Sequence, residues 1–284
     1  MSQHVLTVDV EEWFHGHDLG IDPARWSDLP SRVMTQVARL LELLERYRSR
    51  ATFFVLGTVA KRHPRVVRAI AEGGHEVASH GYDHWRLVEL GRKEVRQQLR
   101  ASRQILQDLS GQPVWGFRAP SWSVGPDNLW VLDEVVASGY RYDSSLFPVR
   151  TPYFGWSGAP VAPATLLTPG GARLLEIPPS VARLGCLRVP FAGGFFLRVC
   201  PGWLVEWLAR RKLAEGLLVS YIHPWELDSF HPRLPLGWSG RLLRYAGLGT
   251  TRWKLERLLA LAPARPVREV LGPQLDPSRE DLAP

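Results

Sequence analysis

Short runs of β-forming residues alternate with stretches of helical period, and this alternation restricts the fold more than any other feature of the chain. Val5-Leu6-Thr7-Val8 is the first run, followed by an apolar helical face at Val33, Val37, Leu40, Leu41 and Leu44. Ala51-Thr52-Phe53-Phe54-Val55-Leu56 comes next, then a helix through Val66, Val67 and Ile70 that ends at Gly73-Gly74, then Glu76-Val77-Ala78-Ser79. Val95, Leu99, Leu106 and Leu109 mark a further helix. Val114-Trp115-Gly116-Phe117 follows it, and Gly125-Pro126-Asp127 opens the next. Tyr140-Arg141-Tyr142, Leu174-Leu175-Glu176-Ile177 and Leu217–Ile222 complete the strands. Repeated units of this kind predict parallel strands joined by right-handed crossovers. About seven strands in roughly 230 residues predict an α/β fold, a distorted or incomplete (β/α) barrel.

Two regions break the rhythm. Residues 148–201 are rich in Gly and Pro and read as long loops with a short strand or hairpin. Residues 262–284 read as a loose, Pro-rich tail. The expected organisation is a barrel over 1–230 that contains the insertion, a basic helical extension over 231–261 packed on it, and the tail.

Of the 284 residues 45% are apolar and 22% charged, which excludes a disordered or fibrous chain. The net charge of +7 comes with no Gly-rich phosphate loop and no nucleic-acid motif, so no nucleic-acid partner is expected. Cys186 and Cys200 fit neither a disulfide framework nor a zinc spacing. The first residues lack a basic segment followed by an apolar one, and no apolar run is long enough to span a bilayer. The expected location is cytoplasmic. Arg241, Arg244, Arg252, Lys254 and Arg257, with Leu242, Leu243, Leu255, Leu258 and Leu259, form a basic amphipathic segment. It reads first as a helix on the barrel with a solvated charged face, and second as a peripheral membrane contact.

The polar residues with chemistry to offer follow the strands. Asp9, Glu11 and Glu12 follow the first, His80 and His84 the third, Arg118 the fourth, Asp143 the fifth and His223 the seventh. In a parallel barrel these ends share one face, where sites are built. His80-Gly81-Tyr82-Asp83-His84 can present two imidazoles on one side of a turn. Two imidazoles and a carboxylate leave one position open, as catalytic zinc requires. Asp9 and Glu11 point the same way along an extended segment, and Glu12 points the other way, to cap or to face out. His15-Gly16-His17-Asp18 reads as a polar loop before it reads as a ligand set. Trp13, Trp122, Trp225 and Tyr82 lie beside these motifs, as sugar platforms or as core.

Taken in order, Thr7-Val8-Asp9-Val10-Glu11, Ser79-His80 through His84, Arg118-Ala119-Pro120-Ser121-Trp122, the segment around Asp143 and Ile222-His223 resemble the five motifs of the NodB-type polysaccharide deacetylases, carbohydrate esterase family 4. Pro190–Arg198 and His223-Pro224-Trp225-Glu226-Leu227-Asp228 are similar to segments of the deacetylases encoded with bacterial exosortase exopolysaccharide systems. The resemblance implies one divalent ion, zinc before cobalt, nickel or manganese, bound by His80 and His84. It implies Asp9 as the base toward the metal-activated water, Arg118 as the group that orients Asp9, and His223 as the acid for the leaving amine. The family's usual pair of adjacent acids is broken by Val10, so Glu11 is assigned to the metal, with Glu12 or Asp9 as the alternatives. Trp122, Asp143, Trp225 and Tyr82 fall on the substrate side. The implied reaction is metal-dependent N-deacetylation of an N-acetylated glycan, a bacterial exopolysaccharide or its precursor. The alternatives are hydrolysis of a small non-sugar amide and an inactive glycan-binding barrel.

Overall fold

The computed structural model describes residues 2–16, 19, 21–185 and 187–275. Its strands are β1 (Gln3–Val10), β2 (Thr52–Val55), β3 (Glu76–Ser79), β4 (Gly116–Phe117), β5 (Tyr142–Asp143), β6 (Ala164–Leu167), β7 (Arg173–Glu176), β8 (Val181–Leu184), β9 (Leu187–Pro190), β10 (Leu217–Ile222) and β11 (Ala264–Arg265). The helices are α1 (Val33–Arg46), α2 (Gly57–Arg62), α3 (Pro64–Glu72), α4 (Arg92–Ser110), α5 (Trp130–Ala137), α6 (Gly194–Val199), α7 (Gly202–Ala214), α8 (Trp238–Tyr245), α9 (Leu248–Leu261) and α10 (Val267–Val270).

The main sheet has the order β10-β1-β2-β3-β4-β5-β7-β6, parallel except for β6 against β7. It curls into a half-barrel. The seam between β7 and β10 is spanned by chain outside the ladder: Ser180 N–H donates to Val219 O at 2.9 Å, and Tyr221 N–H to Ala192 O at 3.0 Å. Helices pack on the outside. The buried face of α1, with Val33, Val37, Leu40 and Leu44, lies over alternate strand residues such as Leu6, Val8 and Phe53. The opposite parity, Val5, Phe54, Ala78, Tyr142, Leu175 and Val219, fills the bore.

The helix through Val66, Val67 and Ile70 is α3, opened by Pro64; a separate short helix, α2, precedes it and ends where Pro64 cannot continue it. Two expectations change. Residues 148–201 are more ordered than loops: β6 and β7 form one hairpin, β8 and β9 a second, and α6 follows. The described part of the tail is no loose end. β11 pairs with β1 at His4 and Val5, on the edge that β2 leaves uncovered. Val267, Leu271 and Leu275 then plug the bottom of the bore. Val267 N–H donates to Thr52 Oγ1 at 2.8 Å, and Arg268 N–H to Glu76 Oε2 at 3.0 Å. An open bore exposes apolar surface at its lower end, and this segment covers it.

In the basic extension, Leu255, Leu258 and Leu259 are buried against the barrel. Among the described residues no helix is long and apolar enough to cross a membrane. Cys200 is a half-buried free thiol. Cys186, His17 and Asp18 lie outside the described residues.

Candidate active site

Val5, Thr7 and Asp9 share the bore-facing side of β1, so the strand's pleat delivers Asp9 to the rim above an apolar floor. Arg118, just past β4, lies in the bore beneath it, completely buried. Its guanidinium donates to Asp9 Oδ1 at 2.7 Å, Thr7 Oγ1 at 2.9 Å, Ser144 O at 3.1 Å and Ser144 Oγ at 2.7 Å. It also lies 4.3 Å from the ring centre of Phe54 and 4.7 Å from that of Trp122. Burying a guanidinium is costly unless every donor is met, and here a carboxylate, hydroxyls, a carbonyl and two aromatic faces meet it.

After β3 the chain turns through Gly81, at a left-handed φ of +83°, and returns as His84. Glu11, His80 and His84 are all buried, with candidate ligand atoms within 4.8 Å of one another. His84 Nε2 is 2.5 Å from Glu11 Oε2. His80 Nδ1–H donates to Arg118 O at 2.9 Å, which leaves Nε2 as the candidate ligand atom. Burial pushes the His80 imidazole down to about 4, so it is neutral, the form that binds metals. Burial opposes ionisation of Glu11, yet His84, His223 and His80 hold its carboxyl well below the ordinary carboxylate value. Two imidazoles and a carboxylate fit a divalent cation.

His223 follows β10. Its Nε2 is 3.8 Å from Asp9 Oδ2 and 3.9 Å from Glu11 Oε1. Its Nδ1–H donates to Glu226 Oε2 at 3.1 Å. Burial works against its charge, but Glu226, Glu11 and Asp9 outweigh it and push His223 up to about 9.

These groups line a cleft of about 440 Å³ with an aromatic wall that includes Trp122, Phe154, Phe196, Tyr221 and Trp225. Ser121 and Trp122 both adopt left-handed backbone angles, φ +54° and +51°, a local strain of the kind found where side chains must be aimed into a site. Trp225 Nε1–H donates to Glu11 Oε1 at 3.0 Å, so it fixes a candidate ligand as well as forming wall.

Other residues singled out from the sequence fall elsewhere. Asp143 is fully buried on the outer side of the sheet, held by the Ser145 amide at 3.0 Å and hydroxyl at 2.7 Å. There it pairs with Glu176, and burial raises both carboxyls. It does not line the cleft, because the pleat turns it away from Tyr142. Tyr82 also stays out of the cleft, its ring packed on Gly57 and its carbonyl accepting from Thr58. Glu12 points away from His80 and His84, accepting from the Ser31 hydroxyl and from Arg32 N–H at 3.0 Å at the start of α1. Trp13 is core, with its indole N–H on Pro30 O at 3.0 Å. His15 stacks 5.8 Å from the His84 ring outside the clustered ligand atoms. Sequence reasoning gave Glu226 no role. The signal it carried was His-x-x-Glu after a strand, the spacing at which a side chain three residues on caps its own turn.

Residues 26–142 match the family model described as polysaccharide deacetylase, and residues 144–271 match one described as a domain of unknown function (DUF3473). A peptidoglycan deacetylase of Helicobacter pylori is 31% identical over 120 residues, 42% of this chain and 40% of that protein. A chitooligosaccharide deacetylase of Sinorhizobium fredii is 40% identical over 96 residues, 34% of this chain and 44% of that protein. The chain thus spans less than half the length of these curated relatives. A Mycobacterium smegmatis crystal structure described as a polysaccharide deacetylase shares the fold at TM-score 0.63 and 24% identity, covering 99% of this chain and 92% of that one.

Proposed function

We propose, from the match of residues 26–142 to the family model described as polysaccharide deacetylase, that the chain hydrolyses N-acetyl groups on amino sugars of a bacterial exopolysaccharide or its precursor, releasing acetate. One observation carries the reading. His223 Nε2 stands 3.8 Å from Asp9 and 3.9 Å from Glu11, so an imidazole and a carboxylate flank one cluster of ligand atoms in an open cleft.

Glu11, His80 and His84 would hold one divalent cation, and zinc suits this mixed set; when bound it would polarise the amide carbonyl and acidify the attacking water. Asp9 is the base that takes a proton from the attacking water. Arg118 engages Asp9 Oδ1 and leaves Oδ2 facing the cleft. His223 protonates the leaving amine, a task that needs the charged imidazole its acidic neighbours favour. The segment matched to the domain of unknown function supplies His223 and most of the aromatic wall, so sugar recognition resides largely there.

The test is acetate release from N-acetylglucosamine oligomers and from N-acetylated exopolysaccharide, with protein stripped of metal and reloaded. Release that depends on reloading supports the reading. Folded, metal-loaded protein that releases acetate from no glycan refutes it.

A further inference from the structure

Several of the large apolar side chains that remain exposed lie on the helices that start near the catalytic end of the barrel. β10 runs from the plugged bottom to the rim, so α7, which leads into it, runs from rim to bottom and carries Trp203 in its first turn. Trp203 is 72% exposed, and Trp207 one turn later is 45% exposed. α9 runs the same way, because it leads to β11 at the start of β1. Its Trp253, 51% exposed, lays its ring against Gly202, the neighbour of Trp203. α8 lines the cleft with Leu243 and exposes Trp238 on its other side. α6 joins cleft to surface: Phe195 and Phe196 line the cleft, and exposed Val199 ends the helix just ahead of α7.

Cations are interleaved with these rings. The Arg211 guanidinium lies 4.9 Å from the Trp207 ring centre, and Arg241 is exposed one turn from Trp238. Glu206, the acid between Trp203 and Trp207, is neutralised by Arg210 at 2.8 Å and Arg257 at 2.7 Å. We propose that this face, formed by Trp203, Trp207, Trp253 and Trp238 with Arg211 and Arg241, docks on an anionic lipid bilayer with the cleft mouth beside the lipid surface.

Indole rings suit the headgroup layer, where one edge is wet and the body is apolar. Arginines among them match anionic headgroups. The same arginines, on a chain of net charge +7, oppose pairing of this face with a second copy of itself. This surface differs from the one suggested by the leucines of the basic segment, since Leu255, Leu258 and Leu259 face the barrel.

The experiment is flotation of the full chain with phosphatidylcholine vesicles, with and without phosphatidylglycerol, at low and high salt. Binding should need phosphatidylglycerol and weaken with salt. Trp203→Ser with Trp253→Ser, and separately Arg211→Glu with Arg241→Glu, should each weaken it about tenfold or more. Acetate release from a soluble oligomer should stay unchanged in both. No binding to charged vesicles, or binding by either variant as tight as that of the unsubstituted chain, overturns the proposal. So does a dimer in light scattering that the Trp variant dissolves, which assigns the face to a second copy. A raised KM for soluble oligomer in the Trp variant also overturns it, by assigning the face to glycan. Flotation needs no turnover, so its failure is distinguishable from failure of the deacetylase reading.

Discussion

Oε2 of Glu226 accepts two hydrogen bonds from His223, one from the backbone N–H at 2.9 Å and one from Nδ1–H at 3.1 Å. A single carboxylate oxygen therefore closes the turn after β10 and fixes which imidazole nitrogen faces the cleft. Arg198 holds the other oxygen at 2.8 Å and is itself tied to the carbonyls of Leu243, Arg244 and Ala246, so Glu226 has little freedom to swing away.

Glu226→Gln removes the nearest negative charge from His223, whose imidazole lies near 9 in the intact site. The folded-state value should fall toward the ordinary 6.5. An acid catalyst works only while protonated, so the basic limb of the kcat profile should move to lower pH, with a loss of about tenfold or more at pH 8. A basic limb that does not move refutes this coupling.

Neighbouring carboxylates at the end of β1 should separate by readout. Glu11→Ala, His80→Ala and His84→Ala should each lose bound metal in elemental analysis. Glu12→Ala should keep it, because Glu12 serves the start of α1 through Ser31 and Arg32. Its effect should be a lower melting temperature, from a loss of about 1 kcal/mol typical of a helix cap. Metal lost from the Glu12 variant and retained by the Glu11 variant would reverse the assignment.

Asp9→Asn keeps an acceptor for Arg118 but cannot take a proton, so it should fold, hold metal and lose about 10²–10⁴ in turnover. Asp9→Ala should melt well below it, since stranding the fully buried Arg118 costs about 3–5 kcal/mol. Thermal melts of the two variants side by side check this. Equal stability would mean that Arg118 does not depend on Asp9.

His4 links acid stability to the lower end of the barrel. Its ring accepts from Ser220 Oγ at 2.7 Å and donates to Ala262 O at 3.0 Å, and burial pushes it down to about 4. Between pH 6.5 and 4 the unfolded chain binds the proton and the folded chain does not, so stability should fall as pH drops through that window. The shift corresponds to about 3 kcal/mol. His4→Gln should flatten that part of the stability–pH curve in denaturant titrations, at some cost at neutral pH. A slope identical to the parent excludes His4 as a source.

Strand positions were legible where a β-rich run carried its own stop signal: Ala51–Leu56 ends at Gly57, and β2 lies inside it. The same reading failed for 262–275. Val267, Leu271 and Leu275 have helical spacing, but the prolines around them suggested a tail, and only the open bottom of the bore gives these side chains somewhere to go. Asp143 shows a different limit. It follows a strand as Asp9 does, and order along the chain does not reveal which side of a two-residue strand it occupies.

Period and punctuation are local properties, written residue by residue, so the alternation of elements, the barrel class and the group of polar residues at strand ends could all be read along the chain. Which of those residues meet depends on the folded arrangement. Glu11 faces His84 and Glu12 faces Ser31 because one step along an extended chain reverses a side chain, and the partners lie on separate elements. The same holds for Arg118 under Asp9 and for Glu226 behind His223: a buried charge is fixed by donors and acceptors that come together only when the sheet curls.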